Sequence, residues 1–450
     1  MAVFSTDLSS TIETLLENKR YNSVRDILVT VNAADIAIIL ADQPANRLIR
    51  LFRLLPKELA SDVFVEMDSD LQEQLINSFS DKELGELVNE LYMDDAVDLI
   101  EEMPANVVKR ILSQADPETR RQINELLKYP EDSAGSLMTT EFADLTPHMT
   151  AEEALGHIRL TGIDKKTIDV CYVVEKRKLI GLISLRTLVL ADSGSLVSDL
   201  MDENVISAGT LDDIEEAAGM FAKYGLTSLP VVDGESRLVG IITVDDAIDV
   251  IRDEATEDIE KMSAITPSDK PYPRLGVFEL YKNRIPWLLL MMISSVFTQM
   301  IIGRFEAALA AQIVLASFIP MLMDTGGNSG SQASVTIIRS LSLNEIGFSD
   351  IFRIIWKELR IATLCGLSLA AVNFAKLMLL DRVGLMIAVT VSVTLAAAVI
   401  IAKFFGCTLP LLVKKIGLDP AVMASPMITT IVDAISLIIY FGIATLMLNI

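Results

Sequence analysis

The sequence predicts a multidomain chain: an all-α superhelical amino-terminal domain, a tandem α+β pair, a connecting helix and a five-span α-helical membrane domain. Two observations carry this prediction. Of 450 residues 51% are hydrophobic, yet 38 Lys+Arg face 61 Asp+Glu, a net charge of −23. The mismatch resolves along the chain. Residues 285–450 hold 10 basic and 8 acidic residues, a net of +2, which leaves 28 and 53 before them, a net of −25. The second observation is an internal repeat in the middle of the chain, its two copies about 60 residues apart. Length alone, at roughly 150 residues per domain, suggests about three domains.

The same composition excludes several functions. An acidic balance without a Lys/Arg-rich run argues against a nucleic-acid partner, which would need its phosphates neutralised. Cys171, Cys365 and Cys407 are too scattered for a disulfide framework or a CxxC metal motif, and they suit a reducing cytosol. His148 and His157 cannot furnish a His-rich transition-metal site. The first residues, with Asp7, Glu13 and Glu17, lack the apolar core of a signal peptide. No GxxxxGK[ST] loop and no GxSxG elbow is present.

Residues 1–130 read as an acidic helical domain. Leu84, Leu87, Val88 and Leu91 recur at helical spacing, and Pro44, Pro56, Pro104 and Pro117 suit first turns. Leu54–Asp68 and Glu102–Asp116 look like two copies of one unit, so short antiparallel helices stacked into a superhelix are expected.

Residues 131–250 hold the repeat. "CYVVEKRKLIGLISLRTLV" is echoed by "LPVVDGESRLVGIITVDDAI", each copy reading strand, helix, strand, turn, strand, helix. The turns fall at Glu175–Lys178 and Asp233–Ser236. These copies resemble a tandem pair of CBS domains. The second is close to the pattern, through Val231, Val232, Asp233, Gly240, Thr243 and Asp245; the first departs from it at Ser184 and Arg186. Such a resemblance implies a sensor of adenine nucleotides or ions, or a pair that only dimerises.

Residues 251–280 form an acidic connecting helix and linker. Asp253, Glu254, Glu257, Asp258 and Glu260 crowd one stretch, and carboxylates at i, i+3 and i+4 share a face and repel. A solvated linker would look alike, but this one leads directly into the first apolar stretch.

Residues 281–450 contain five stretches that meet the ~20 residues a membrane crossing needs, near 285–303, 308–341, 355–380, 383–413 and 422–448. Lys270, Arg274, Lys282, Arg284, Arg339, Arg353, Lys357, Arg360, Lys414 and Lys415 fall on one side, and only Arg304, Lys376 and Arg382 on the other. The bias puts the amino terminus in the cytoplasm and Ile450 outside. Polar residues within spans are costly and mark function. Pro320, Asp324, Gly326, Gly327, Asn328, Gly330, Ser331 and Gln332 predict a broken second span whose freed carbonyls line a path. Asp433 shares a helical stripe with Ser425, Thr429, Ser436 and Tyr440, and Asp419-Pro420 opens that last span. Asp433 could instead be paired with Lys403, and Asp324 could be a helix cap. Oxygen donors with almost no Cys or His suit a hard divalent cation, and a sparse carboxylate set suits Mg²⁺, which dehydrates reluctantly. A ring around an axis needs Asp433 from at least two subunits.

The order of parts, with "PMLMDTGGNSGSQA" (Pro320–Ala333) and "LDPAVMASPMITTIVD" (Leu418–Asp433), resembles the MgtE family of magnesium channels from about residue 10 to the end. The resemblance implies a homodimeric Mg²⁺-selective channel of the inner membrane, closed by cytosolic Mg²⁺ and not an enzyme. It implies a pore site at Asp433 with Asp419; Asn328 and Gln332 of the polar second span add side-chain oxygens to it. Regulatory carboxylates fall on Glu254, Glu257 and Asp258 of the connecting helix. In the helical domain they fall on Asp94, Asp95 and Asp98, and in the second CBS copy on Asp245, Asp246 and Asp249. ATP at the CBS pair would be a further cofactor. Rival readings are a coupled secondary transporter, a channel for Co²⁺ or Ni²⁺, and an intramembrane acid protease built on Asp-Thr-Gly at Asp324.

Overall fold

The computed structural model describes residues 11–12, 14–268, 272, 275–423 and 425–448. Asp7, Glu13, Lys270, Arg274, Ile450 and the side chain of Ser425 lie outside the described residues. The chain divides into two compact units, Met1–Ile251 and Arg252–Ile450.

The first unit begins with short helices: α1 Tyr21–Leu28, α2 Ala33–Ala41, α3 Ala45–Phe52, α4 Lys57–Val65, α5 Ser69–Ser78, α6 Asp81–Val88, α7 Met93–Glu102, α8 Ala105–Gln114 and α9 Pro117–Leu126. Proline sets the punctuation. Pro44, Pro56 and Pro104 are the N-cap residues of α3, α4 and α8, and Pro117 opens α9, where a missing N–H costs nothing. The two sequence copies therefore coincide with α4 and α8. Ser80 and Glu83 form a capping box at the start of α6.

After the turn α10 (Ala134–Leu137), each repeat copy builds a three-stranded sheet. The first is β1 (Phe142–Leu145), β2 (Thr167–Glu175) and β3 (Lys178–Ser184), with helices α11 (Ala151–Thr161) and α12 (Leu185–Leu190). A short α13 (Val197–Leu200) leads to the second: β4 (Ala208–Gly209), α14 (Ile214–Tyr224), β5 (Ser228–Val232) and β6 (Leu238–Thr243). In both, the first strand pairs parallel with the second and the second antiparallel with the third. Lys176 and Arg177 take positive φ (52° and 69°) in a two-residue hairpin, the geometry that matches strand twist. One apolar core runs from the α1–α9 helices into the second copy through Phe221, Leu229, Val231 and Ile242, whereas the first copy has a core of its own.

The next helix, α15, is Val244–Met262 without a break. The sequence suggests a connecting helix of its own within residues 251–280. No Gly or Pro interrupts Val244–Met262, so the second copy's last helix and the acidic run are one element.

The second unit contains α16 (Val277–Arg304), α17 (Glu306–Ala311), α18 (Ile319–Ser342), α19 (Ile351–Leu379), α20 (Leu385–Lys415) and α21 (Ser425–Leu448). Four segments among the described residues are long and apolar enough to cross a membrane: Val277–Arg304, Phe348–Leu379, Leu385–Lys415 and Pro420–Leu448. The expected stretch at 308–341 became α17, a 3₁₀ segment at Ile313–Phe318 and α18, whose Gly, Ser, Asn and Gln dilute its hydropathy.

α18 also corrects the expectation of a broken helix. It runs unbroken through Met323–Gln332. Its glycines serve close packing instead. A Cβ on Gly327 would lie 2.7 Å from the Thr429 methyl, and one on Gly406 of α20 would lie 2.2 Å from the Gly330 carbonyl oxygen. Small residues at such crossings let membrane helices approach backbone to backbone.

Candidate functional site

In α18 the buried glycine face has an opposite face, and Asp324, Asn328 and Gln332 stand along it at i, i+4 and i+8, all exposed. Asn328 Nδ2 donates to Asp324 Oδ1 at 3.1 Å. The bond uses one Asp324 oxygen and leaves its Oδ2 and the Asn328 amide oxygen outside this pairing. Asp324 is thus no helix cap: it lies inside α18. The Asp-Thr-Gly triplet is helical as well, which removes the loop that an acid protease needs.

Asp433 lies in α21, and its Oδ1 is buried with no hydrogen-bond partner. An ion pair with Lys403 is absent among the described residues, although Lys403 is buried too. The stripe expected around Asp433 divides. Ser436 and Thr429 pack against Gly326 and Gly327, and the Tyr440 hydroxyl donates to the Leu315 carbonyl at 2.8 Å. Asp433 and Thr430 instead face a cavity of about 350 Å³. Ser295, Thr298 and Gln299 of α16 line it with Met323. Asn328, Gln332 and Asp419 are not in that cavity.

Asp419 meets the acidic end of α15. Lys261 Nζ lies 2.7 Å from Asp419 Oδ2 and 2.5 Å from Glu257 Oε1. Ser342 Oγ donates to Asp258 Oδ2 at 2.9 Å, and Met262 packs on Ile338 and Ala421. Burial would lower the Lys261 ammonium, but its bonds to Asp419 and Glu257 outweigh that and raise it. Burial likewise raises Asp258, only partly offset by Ser342. Glu254 is half-buried on the same helix. One lysine thus ties two of the carboxylates that sequence reasoning singled out.

The first unit repeats this arrangement. Asp94 and Asp95 open α7, and Lys166, just before β2, reaches both: its Nζ is 2.9 Å from Asp94 Oδ2 and 3.5 Å from Asp95 Oδ2. The ammonium also lies 4.9 Å from the Tyr92 ring centre, a cation–π contact. Burial, then the Asp94 charge, pushes Asp95 up to about 7 and Asp246 up to about 6. Asp98 stands at the exposed edge of the cluster, yet the protein atoms crowded around it and the Asp94 and Asp95 charges push it up to about 8. Burial alone would lower Lys166, but Asp94, Asp95 and Asp246 together raise it. Asp245 and Asp249 are exposed. Among the described residues no three carboxylates converge tightly enough to hold a metal ion.

Comparison with known proteins decides the family. The MgtE divalent cation transporter family matches residues 319–443, the MgtE intracellular N domain residues 31–132, and the CBS domain residues 134–194 and 197–253. A protein of Thermus thermophilus named magnesium transporter MgtE is 35% identical over 447 residues, 98% of this chain and 99% of the relative. The chain belongs to the MgtE family. A Bacillus subtilis magnesium transporter MgtE is 32% identical over 432 residues, covering 96% of this chain and 95% of its own length. Among solved structures, the ATP-bound cytosolic domain of the Mg²⁺ channel MgtE is 34% identical at a TM-score of 0.52, covering 54% of this chain and 99% of its own. The soluble part of a magnesium transporter is 29% identical at a TM-score of 0.53, covering 56% and 99%. The MgtE relatives are named as transporters and not as enzymes.

Sequence reasoning missed Lys166, Lys261 and the α16 side chains. Lys261 carried a signal, since it stands four residues after Glu257. Ser295, Thr298 and Gln299 carried one too, as polar residues inside an apolar span. Lys166 carried none that separates it from Lys165.

Proposed function

We propose that the chain is a homodimeric Mg²⁺-selective channel of the inner membrane, closed by cytosolic Mg²⁺. The observation that carries this is Asp433, a carboxylate with one oxygen buried and unpartnered, lining a cavity between membrane helices. An ionisable group is kept there only at a cost, and a passing cation offsets it. Oxygen-only donors and the relatives' printed names both support Mg²⁺ as that ion. The exposed Asp324–Asn328–Gln332 stripe cannot face hydrocarbon, which favours a second subunit and water across from it. In this reading α18 is the fifth crossing, the amino terminus is cytoplasmic and Ile450 lies outside. The parts are then the superhelical N domain (1–130), the CBS pair (131–250), the connecting helix (251–280) and the pore domain (281–450).

Asp433 binds the ion, with Asn328, Gln332 and Asp419 along its path. Closure works through charge. Glu254, Glu257 and Asp258 of α15, with Asp94, Asp95, Asp98, Asp245, Asp246 and Asp249, are carboxylates whose crowding is relieved by divalent cations. Their donors suit Mg²⁺ chemically, while Lys166 and Lys261 already hold part of the cation's place. A ligand favouring one state shifts the population toward it. The solved ATP complex of a relative's cytosolic domain supports a nucleotide in this part of the chain, and the CBS pair is the place we assign it. Here the first copy fits it less well: the Ser184 hydroxyl is engaged as the cap of α12, accepting from Thr187 N at 3.0 Å.

The test is Mg²⁺ entry into proteoliposomes carrying the full chain. Asp433→Asn, which keeps the shape, should abolish entry; undiminished entry overturns the reading. Mg²⁺ uptake that follows a proton or sodium gradient would favour a coupled transporter, and equal entry of Co²⁺ or Ni²⁺ a less selective channel.

A further inference from the structure

We propose that α16 supplies the residues that recognise the water shell of the ion at Asp433: Ser295 and Gln299, flanked by Thr298. The inference rests on the reading of Asp433 as the ion-binding carboxylate, and it adds a helix that none of the expected site residues lies on.

Ser295, Thr298 and Gln299 fall at i, i+3 and i+4, so they form one polar face on a mainly apolar helix, whose neighbouring Ser294 is not among the residues lining the cavity. That face looks into the cavity that Asp433 lines from α21. Size fits an intact shell. Six waters at about 30 Å³ each need roughly 180 Å³, and the cavity holds about 350 Å³.

Hydrogen-bond polarity fits as well. Water bound to a cation points its hydrogens outward, so a wall that reads the shell must accept. Ser295 Oγ already donates its proton to the Met292 carbonyl at 2.7 Å. Thr430 Oγ1 does the same to the Pro426 carbonyl at 2.9 Å. Both hydroxyls therefore turn lone pairs to the cavity. Asp433 accepts only, and Gln299 adds an amide oxygen. An open cleft whose few polar groups are acceptors, set among Met291, Ile302 and Met323, suits a hydrated divalent cation better than a bare one, which would need several direct oxygen ligands.

The experiment measures Mg²⁺ entry in proteoliposomes with and without hexaamminecobalt(III), an inert cation whose six ammines turn N–H groups outward as a hexahydrate turns O–H. In the unaltered chain the complex should block entry. Ser295→Ala and Gln299→Leu should each raise the blocking concentration roughly tenfold, the loss of one hydrogen bond to a charged group. Ser295→Thr, which keeps the hydroxyl, should restore the block. Asp433→Asn should abolish entry. If Ser295→Ala and Gln299→Leu keep normal entry and normal block while Asp433→Asn is dead, α16 takes no part and the inference fails alone. If Asp433→Asn conducts normally, the underlying reading fails with it. Elution as a single species in detergent confirms that each variant folds.

Discussion

Replacing Lys166 by methionine removes a charge and keeps most of the packing volume. The Lys166 side chain is 12% exposed and that of Asp94 only 3%, so their 2.9 Å pair is screened little by water. Breaking a buried pair from one side costs about 3–5 kcal/mol, because the remaining charge is stranded. Part of that is recovered if the carboxylates take a proton, and Asp95, already pushed to about 7, does so readily. A loss near 3 kcal/mol is therefore expected. At about 2–4 °C per kcal/mol for a body of this size, the first unit should melt roughly 6–12 °C lower. The assay is thermal unfolding of the full chain in detergent with EDTA. Adding Mg²⁺ should stabilise the variant more than the unaltered protein, since the carboxylates no longer have an ammonium against them. A melting point in EDTA within about 1 °C of the unaltered protein would refute the reasoning. So would a Mg²⁺ gain no larger in the variant.

Four further outcomes are expected. Neutralising Glu257 and Asp258 together should leave the channel open at high cytosolic Mg²⁺ in patch-clamp recordings. Lys261→Ala should shift the closed state by about 1 kcal/mol, roughly fivefold in open probability, because the contact to Asp419 is partly exposed. In metal-free buffer the first unit should lose stability as pH rises. Asp246 and Asp95 are raised from 3.8 to about 6 and about 7, so their contribution is complete below about 4 and lost as pH passes through those values. A melting point flat between pH 5 and 8 would count against the cluster (solvent-facing Asp98 adds least). Gly406→Ala should cost about 1–3 kcal/mol by overpacking the α18 crossing, whereas Gly156→Ala in α11, with nothing within 4 Å, should be neutral or stabilising. Melting curves of the two variants read the contrast.

Much of the architecture was legible because it rests on local rules. Prolines marked the starts of α3, α4, α8 and α9, and the repeated strand–turn–strand pattern fixed both sheets. What failed was the inference from glycine to unwinding. Gly326, Gly327 and Gly330 lower helix propensity, but tertiary packing on Thr429, Val432 and Ala402 overrides it. The site was half legible. Asp433 announced itself by its type and depth. Its surroundings did not, since Thr429 and Thr430 are neighbours in sequence and only packing sends one to a glycine and the other to the cavity.

The charge split also changes meaning once the residues are located. A surplus of 25 negative charges before residue 285 suggested switching by general repulsion. At physiological salt, however, exposed charges more than about 8 Å apart are largely screened. Exposed acids such as Asp245 and Asp249 therefore contribute little. Repulsion survives where water is excluded, and that is where Asp94, Asp95 and Asp246 crowd one ammonium. One positive charge among three carboxylates leaves the cluster short of neutral when all are ionised. A divalent cation supplies two charges where a lysine supplies one. Sensitivity to Mg²⁺ should then follow the few buried carboxylates and their lysine, and surface neutralisation elsewhere in the −25 half should leave it nearly unchanged.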